Sequence, residues 1–169
     1  EVYHGLRRTA GEIGHVIIDP ENPQGRRELE HQCSRTAIAR DICEAIENGE
    51  PSVLATAIKD GSPCTSSLIA SALEQNDDLT TRIVTTASKK VGRVVGSMVT
   101  MLSLEHIVVG GGLVEVAGPF IVEPIQRAAR QTCWPEELRT LEVHATKLGA
   151  NAGLLGAALL AASRIGQGA

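Results

Sequence analysis

This sequence predicts an α/β fold in which helices flank a mixed, partly parallel sheet, and three observations predict it. Short apolar runs of strand length alternate with longer segments whose apolar residues recur every three or four positions, the signature of strands joined by crossover helices. Only 2% of residues are aromatic, so the core must be built from Ala, Val, Ile and Leu, side chains that suit helices packed on a sheet. The 169 residues carry 43% hydrophobic and 21% charged residues, the length and balance of one ordinary globular domain. Disorder, collagen-like repeats and a disulfide scaffold are thereby excluded.

Residues 1–19 read as extended chain with turns, closing on a strand at His15-Val16-Ile17-Ile18-Asp19. Residues 20–25 are a loop by composition. From Glu28 to about Asn48, Leu29, Cys33, Ala37, Ile38, Ile42, Ala45 and Ile46 keep helical spacing, and Asn48-Gly49 with Pro51 stops the helix. A helix over about Thr65–Gln75 starts on hydroxyl residues that cap exposed amides. A longer one spans about Leu79–Leu102, with Gly92 and Gly96 in its middle. Each glycine costs about 1 kcal/mol against Ala there, so a second backbone packed closely against them is the expected compensation. His106–Val109 is a short strand that runs into Gly110-Gly111-Gly112 and then a helix over about Gly118–Gln131. Leu141–Ala145 is another strand. An Ala/Leu-rich helix over about 150–164 ends the chain and is expected to be buried against the sheet, as is the helix at 79–102.

A net charge of −4 argues against nucleic-acid contact by this domain. No apolar run approaches the roughly 20 residues of a membrane span. The four cysteines, Cys33, Cys43, Cys64 and Cys133, contain no CxxC pair. Cys33 and Cys43 fall in a helical stretch and read as buried small hydrophobes, so a reducing cytoplasm is the simplest compartment.

Two segments carry chemistry. The strand and three glycines at 107–112 allow close backbone approach, and the helix that follows presents free amides to a phosphate or base. The turn is neither GxGxxG nor a Walker A loop, and a tight packing turn explains it equally. In Ala10-Gly11-Glu12-Ile13-Gly14-His15 a carboxylate and an imidazole stand three residues apart between glycines. Glu12 can accept from two hydroxyls and His15 can donate to or accept from one; a solvated surface turn is the alternative. Glu30, near the head of its helix, is also explained by the positive helix end.

Jointly these blocks resemble the ROK family of sugar kinases and sugar-responsive repressors. Ala10–His15 looks like its sugar-binding signature. Gly25-Arg26-Arg27-Glu28-Leu29-Glu30 with Ser34-Arg35-Thr36-Ala37 is similar to its glycine–cysteine–x–glutamate segment and the helix after it. Ile107–Gly112 resembles its adenosine-contacting strand and turn, and Leu148–Ala158 its C-terminal helix signature. The resemblance implies an actin/hexokinase-like (ribonuclease H-like) fold in which two lobes close over sugar and ATP. Residues 1–169 would be the C-terminal lobe, with the N-terminal ATP-binding lobe, its phosphate loops and its catalytic Asp lying outside the chain. Glu12, His15 and Glu30 would bind sugar hydroxyls, Gly110, Gly111 and Gly112 would line the adenosine, and no residue here would be catalytic. The full-length protein would be a glucokinase-like enzyme phosphorylating a hexose with ATP and Mg²⁺, as a homodimer, while this chain alone is expected to be inactive. The alternative is a sugar-sensing repressor whose DNA-binding head also lies outside the chain. The family's three-cysteine cluster is missing between His15 and Glu30, and His15 with Cys33 supplies two of the four ligands a structural zinc needs. No zinc, and no other bound transition metal, is expected.

Overall fold

The computed structural model describes residues 3–165; Val2, in the extended opening segment, lies outside them. After the opening turns come a 3-10 turn at Ile13–His15 and helices α1 (Leu29–Cys33), α2 (Arg35–Glu47), α3 (Ala55–Lys59), α4 (Ser66–Glu74) and α5 (Asp78–Leu102). Strand β1 (His106–Val109), helix α6 (Gly112–Thr132), a 3-10 segment at Glu136–Thr140, strand β2 (Glu142–Ala145), a 3-10 turn at Gly149–Asn151 and helix α7 (Ala152–Ile165) complete the order. The α/β class is borne out. The sheet among the described residues is small: β1 and β2 pair in parallel, with His106 opposite Glu142 and Val108 opposite His144. α6 is the crossover between them.

The strand expected at 15–19 does not form. That segment makes one isolated antiparallel bridge, Ile17 to Glu28, because among the described residues no strand lies beside it, only the loop at 26–28 and helices. The helix expected over 28–48 is two helices. Ser34 adopts an extended backbone (φ −64°, ψ 158°) between them, and its Oγ accepts from the Ala37 amide at 3.2 Å, so the hydroxyl caps α2 rather than continuing α1. α6 begins six residues earlier than the periodicity indicates. Ala117 is non-helical within it (φ −132°, ψ 24°), just before Pro119, whose ring disfavours the helical state upstream.

α5 and α6 form the most extensive helix pair. Gly92 and Gly96 make it possible: a Cβ on Gly92 would sit 2.7 Å from the Ala128 Cβ, and one on Gly96 2.7 Å from the Ala129 carbonyl oxygen. The backbone compensation expected for these glycines is therefore present, inside the domain. Ile42, Ile46, Ile69, Leu73, Val84, Val99, Ile125 and Leu141 are fully buried around the pair. The α5 N-terminus is fixed by buried Asp77. Its carboxylate accepts from Thr80 N (2.9 Å), Thr80 Oγ1 (2.7 Å), Ser52 Oγ (3.0 Å) and Val53 N (2.9 Å).

Two burial expectations are corrected. The helix at 79–102 is buried, but α7 is not. Leu154 and Leu159 are 72% and 71% exposed, and Leu155 is exposed too. α7 packs substantially only on the Gly149–Asn151 turn before it, because no described element lies where its apolar surface points. Cys33 and Cys43 are half-buried at the core's margin, whereas Cys64 and Cys133 are fully buried; all four are free thiols. Burial pushes the Cys33 and Cys64 thiols up to about 11, the behaviour of packed, unreactive thiols. No described helix is long and apolar enough to cross a membrane.

Candidate functional site

The first group of predicted residues is brought together by a short turn laid on the head of a helix. The Leu29 amide donates to the Val16 carbonyl at 2.9 Å, and the Ile18 amide to the Arg27 carbonyl at 2.9 Å. These bonds hold the 3-10 turn at Ile13–His15 against the start of α1. Glu12 caps that turn and is exposed. Glu30, in the first turn of α1, lies directly over Gly14: a Cβ there would meet the Glu30 Cβ and Oε2 at 3.3 Å each. Glycine at position 14 thus lets the carboxylate of Glu30 rest on the same turn that presents Glu12 and His15.

His15 Nδ1 lies 2.9 Å from Glu28 Oε2. That hydrogen bond, then the charge of Glu28, raise the His15 pKa above its ordinary value, and Glu30 and Glu12 add to the effect. The same hydrogen bond holds the Glu28 carboxyl below its ordinary value. Sequence reasoning missed Glu28 as a partner. Thirteen residues separate it from His15, and only the antiparallel bridge at Ile17 brings the two into reach. His31 was missed as well; its Nδ1 is shielded from solvent without a hydrogen-bond partner, 3.8 Å from Glu28 Oε2. The residues present do not fit a structural zinc at His15. One ring nitrogen is taken by Glu28, and no three metal-ligating side chains gather there among the described residues.

The second group, Gly110–Gly112, lies at the C-terminal end of β1 and opens α6. Gly111 has φ +121°, a conformation side chains rarely adopt, with nothing within 4 Å of where a Cβ would be. The Thr146 amide donates to the Val109 carbonyl at 2.8 Å, drawing the segment after β2 alongside the turn. The glycines border a cleft of about 300 Å³ that is lined also by Cys33, Ser34 and Arg35 at the α1–α2 break and by Ala87, Ser88 and Val91 of α5. Arg35 holds its place by donating to the Cys64 carbonyl at 3.4 Å. The cleft is mostly apolar, with Ser34, Arg35 and Ser88 as its polar lining, the composition of a small-molecule pocket. Ser34, which follows the helix that carries Glu30, also lines the cleft bordered by the glycines.

Known proteins resemble this chain in sequence and in fold. The model of the ROK family matches residues 1–164. A glucokinase of Halalkalibacterium halodurans is 29% identical over 92% of this chain and 48% of its own length. An N-acetylmannosamine kinase of Haemophilus influenzae is 28% identical over 91% and 46%. The chain spans about half the length of the curated relatives it matches. Among solved structures, a ROK family glucokinase from Streptomyces griseus, in complex with glucose and AMPPNP, superposes with a TM-score of 0.78 at 24% identity, covering 95% of this chain and 54% of that one. A ROK family transcriptional regulator, a homolog of the Escherichia coli MLC protein, gives 0.76 at 24% identity over 86% and 36%. These two likenesses establish the actin/hexokinase-like fold. The family model covers nearly the whole chain, and the chain belongs to the ROK family.

Proposed function

We propose that this chain is the C-terminal lobe of a sugar kinase that transfers the γ-phosphoryl group of ATP to a hexose. Glu12, His15 and Glu30 hold hydroxyls of the sugar that do not react. The turn at Gly110–Gly112 holds the adenosine side of the nucleotide. The observation that carries this reading is the seating of Glu30 over Gly14, which converges two carboxylates and an imidazole on one exposed turn. The His15–Glu28 pair fixes the ring so that its other nitrogen faces outward to a hydroxyl. Glu28 thereby braces the turn where the family pattern has cysteines.

ATP supplies the transferred phosphoryl group. The glycine cleft suits the heterocycle, but none of its lining residues is a carboxylate, so Mg²⁺ is held outside it. Neither group of residues supplies a base for the attacking hydroxyl, and in-line transfer needs one together with donors around the γ-phosphate. The rest of the machinery belongs to the other lobe. The exposed Leu154, Leu155 and Leu159 of α7 support that reading, since an apolar helix surface of this kind calls for a partner and the relatives carry as much chain again. A homodimer remains part of the proposal.

A coupled assay across several hexoses tests it. A protein about twice this length carrying this lobe turns over ATP in a sugar-dependent way, whereas the 169-residue chain alone does not. Glu12→Ala in the longer protein mainly raises the sugar KM. Sugar-dependent turnover by this chain alone overturns the half-site reading. A longer protein inactive on every hexose favours the second reading, a sugar-sensing repressor, which the likeness to the ROK regulator supports.

A further inference from the structure

The face of the sheet turned away from α6 carries a cluster that neither ligand group uses. Alternate residues of a strand share a face, so His106 and Val108 of β1 stand beside Glu142 and His144 of β2 in the parallel register. Val108 is exposed, as are the other three. Glu142 Oε2 lies 3.2 Å from His144 Nε2 and 3.8 Å from His106 Nδ1. One ligand atom from each of the three lies within 4.8 Å of the others. The imidazoles are tilted by 35° with centroids 5.6 Å apart, so they converge on the carboxylate and do not stack.

We infer that His106, Glu142 and His144 form a binding site for a divalent first-row transition ion, of which Zn²⁺ is the best match. Bonds of about 2.1 Å in a tetrahedral site place neighbouring ligand atoms roughly 3.4 Å apart, close to the two separations seen. Two imidazoles and one carboxylate are a donor set that zinc accepts and that Mg²⁺ and Ca²⁺, which prefer all-oxygen shells, do not. Three protein ligands leave one position for water or an added anion, the open form of zinc coordination. The pairing of β1 with β2 presets the site, since the ladder holds His106 directly opposite Glu142, and β2 is packed on α6. The ion would tie the two strands together at the end remote from Gly110–Gly112. The absence of cysteines near His15, which led to an expectation of no bound metal, has no bearing on this face.

Titration calorimetry of the tag-free, metal-stripped 169-residue chain with ZnCl₂ tests the inference. The expected result is one Zn²⁺ per chain, not displaced by excess Mg²⁺. His144→Ala and His106→Ala each weaken binding by at least about tenfold, the scale of losing support at a metal site. All three ligands are exposed, so these variants fold like the parent, and matching circular dichroism confirms it. His31→Ala and Cys33→Ser leave the zinc affinity unchanged. Absence of zinc uptake overturns the site. So does uptake that survives both His106→Ala and His144→Ala, or uptake that His31→Ala or Cys33→Ser abolishes.

Discussion

Helices α5 and α7 are both long on apolar residues, yet one is the axis of the domain and the other lies open. Up to its last turn, where Met101 and Leu102 are exposed, α5 keeps its apolar positions on one stripe, with Arg82, Lys89 and Arg93 on the solvent side. It is fixed at its head by Asp77 and pressed along its length onto α6. α7 is more uniformly apolar and far more exposed. Burial follows from having a complementary surface within reach, not from hydrophobicity. A helix with a polar face carries its own statement of which side is inside. A helix apolar all round states only that it will be covered, and here the cover is absent from the described residues.

The contrast is broken most forcefully at Gly92. Its missing side chain lets the α6 backbone approach, and a Leu there would drive its branch into Ala128 and the Ile125 carbonyl. Overpacking of this kind costs about 3 kcal/mol. For a chain of this size Gly92→Leu lowers the Tm by roughly 10 °C, measured by calorimetry or by circular dichroism at 222 nm. An unchanged Tm would mean that α5 and α6 do not meet as described. Gly92→Ala loses less, because it adds only a Cβ against Ala128 and the Ile125 carbonyl and, like Leu, recovers about 1 kcal/mol of helix propensity.

The anchoring of α5 at its head is sharpened by Asp77→Ala. Loss of an N-cap carboxylate costs about 1–2 kcal/mol, and Val53 N and Thr80 N are left without their acceptor. Burial pulls the Asp77 pKa upward, but hydrogen bonds from Thr80, Val53 and Ser52 outweigh it and hold the carboxyl below its ordinary value. A depressed carboxyl pKa stabilises the folded state above the unfolded value, about pH 4, and that contribution disappears as pH falls through the folded value. Denaturant midpoints should therefore separate parent from Asp77→Ala at pH 7 and converge toward pH 2. A gap that persists undiminished in acid would show that Asp77 acts only as a neutral cap.

The same contrast explains what the sequence discloses. α4, α5 and β1 fall within a residue or two of their expected spans, because each pairs a clear apolar pattern with a legible boundary, such as the hydroxyl residues that open α4 or Gly110 after β1. The break at Ser34 was hidden because the apolar residues on both sides, Leu29 and Ala37 among them, keep phase through it. The strand expected at 15–19 failed because Val16–Ile18 has β-branched residues but only the 26–28 loop to pair with. In the candidate site, the types and places of Glu12, Glu30 and the glycines were legible from motif spacing. Glu28 as the partner of His15 was not, since that contact exists only once the turn has folded onto α1. The fate of α7 was not legible either, for a local pattern cannot say whether its partner is in the same chain.

The smallest expected effect is the most telling for that helix. Leu154→Ser combined with Leu159→Ser replaces two side chains that are each more than two-thirds exposed. Nothing in the described fold rests on them, so the Tm of this chain should move by no more than about 0.5 kcal/mol would produce, roughly 2 °C. Apolar patches of this sort drive self-association, so the same variant should sediment as a smaller species, or stay soluble to higher concentration, in analytical ultracentrifugation. In a longer protein carrying the other lobe the pair of serines should be costly, because the leucines would there be covered. A Tm loss of many degrees in the 169-residue chain would place α7 against its own domain in solution. Equal tolerance in both proteins would mean that the other lobe does not cover it, and the apolar surface of α7 would need a different partner.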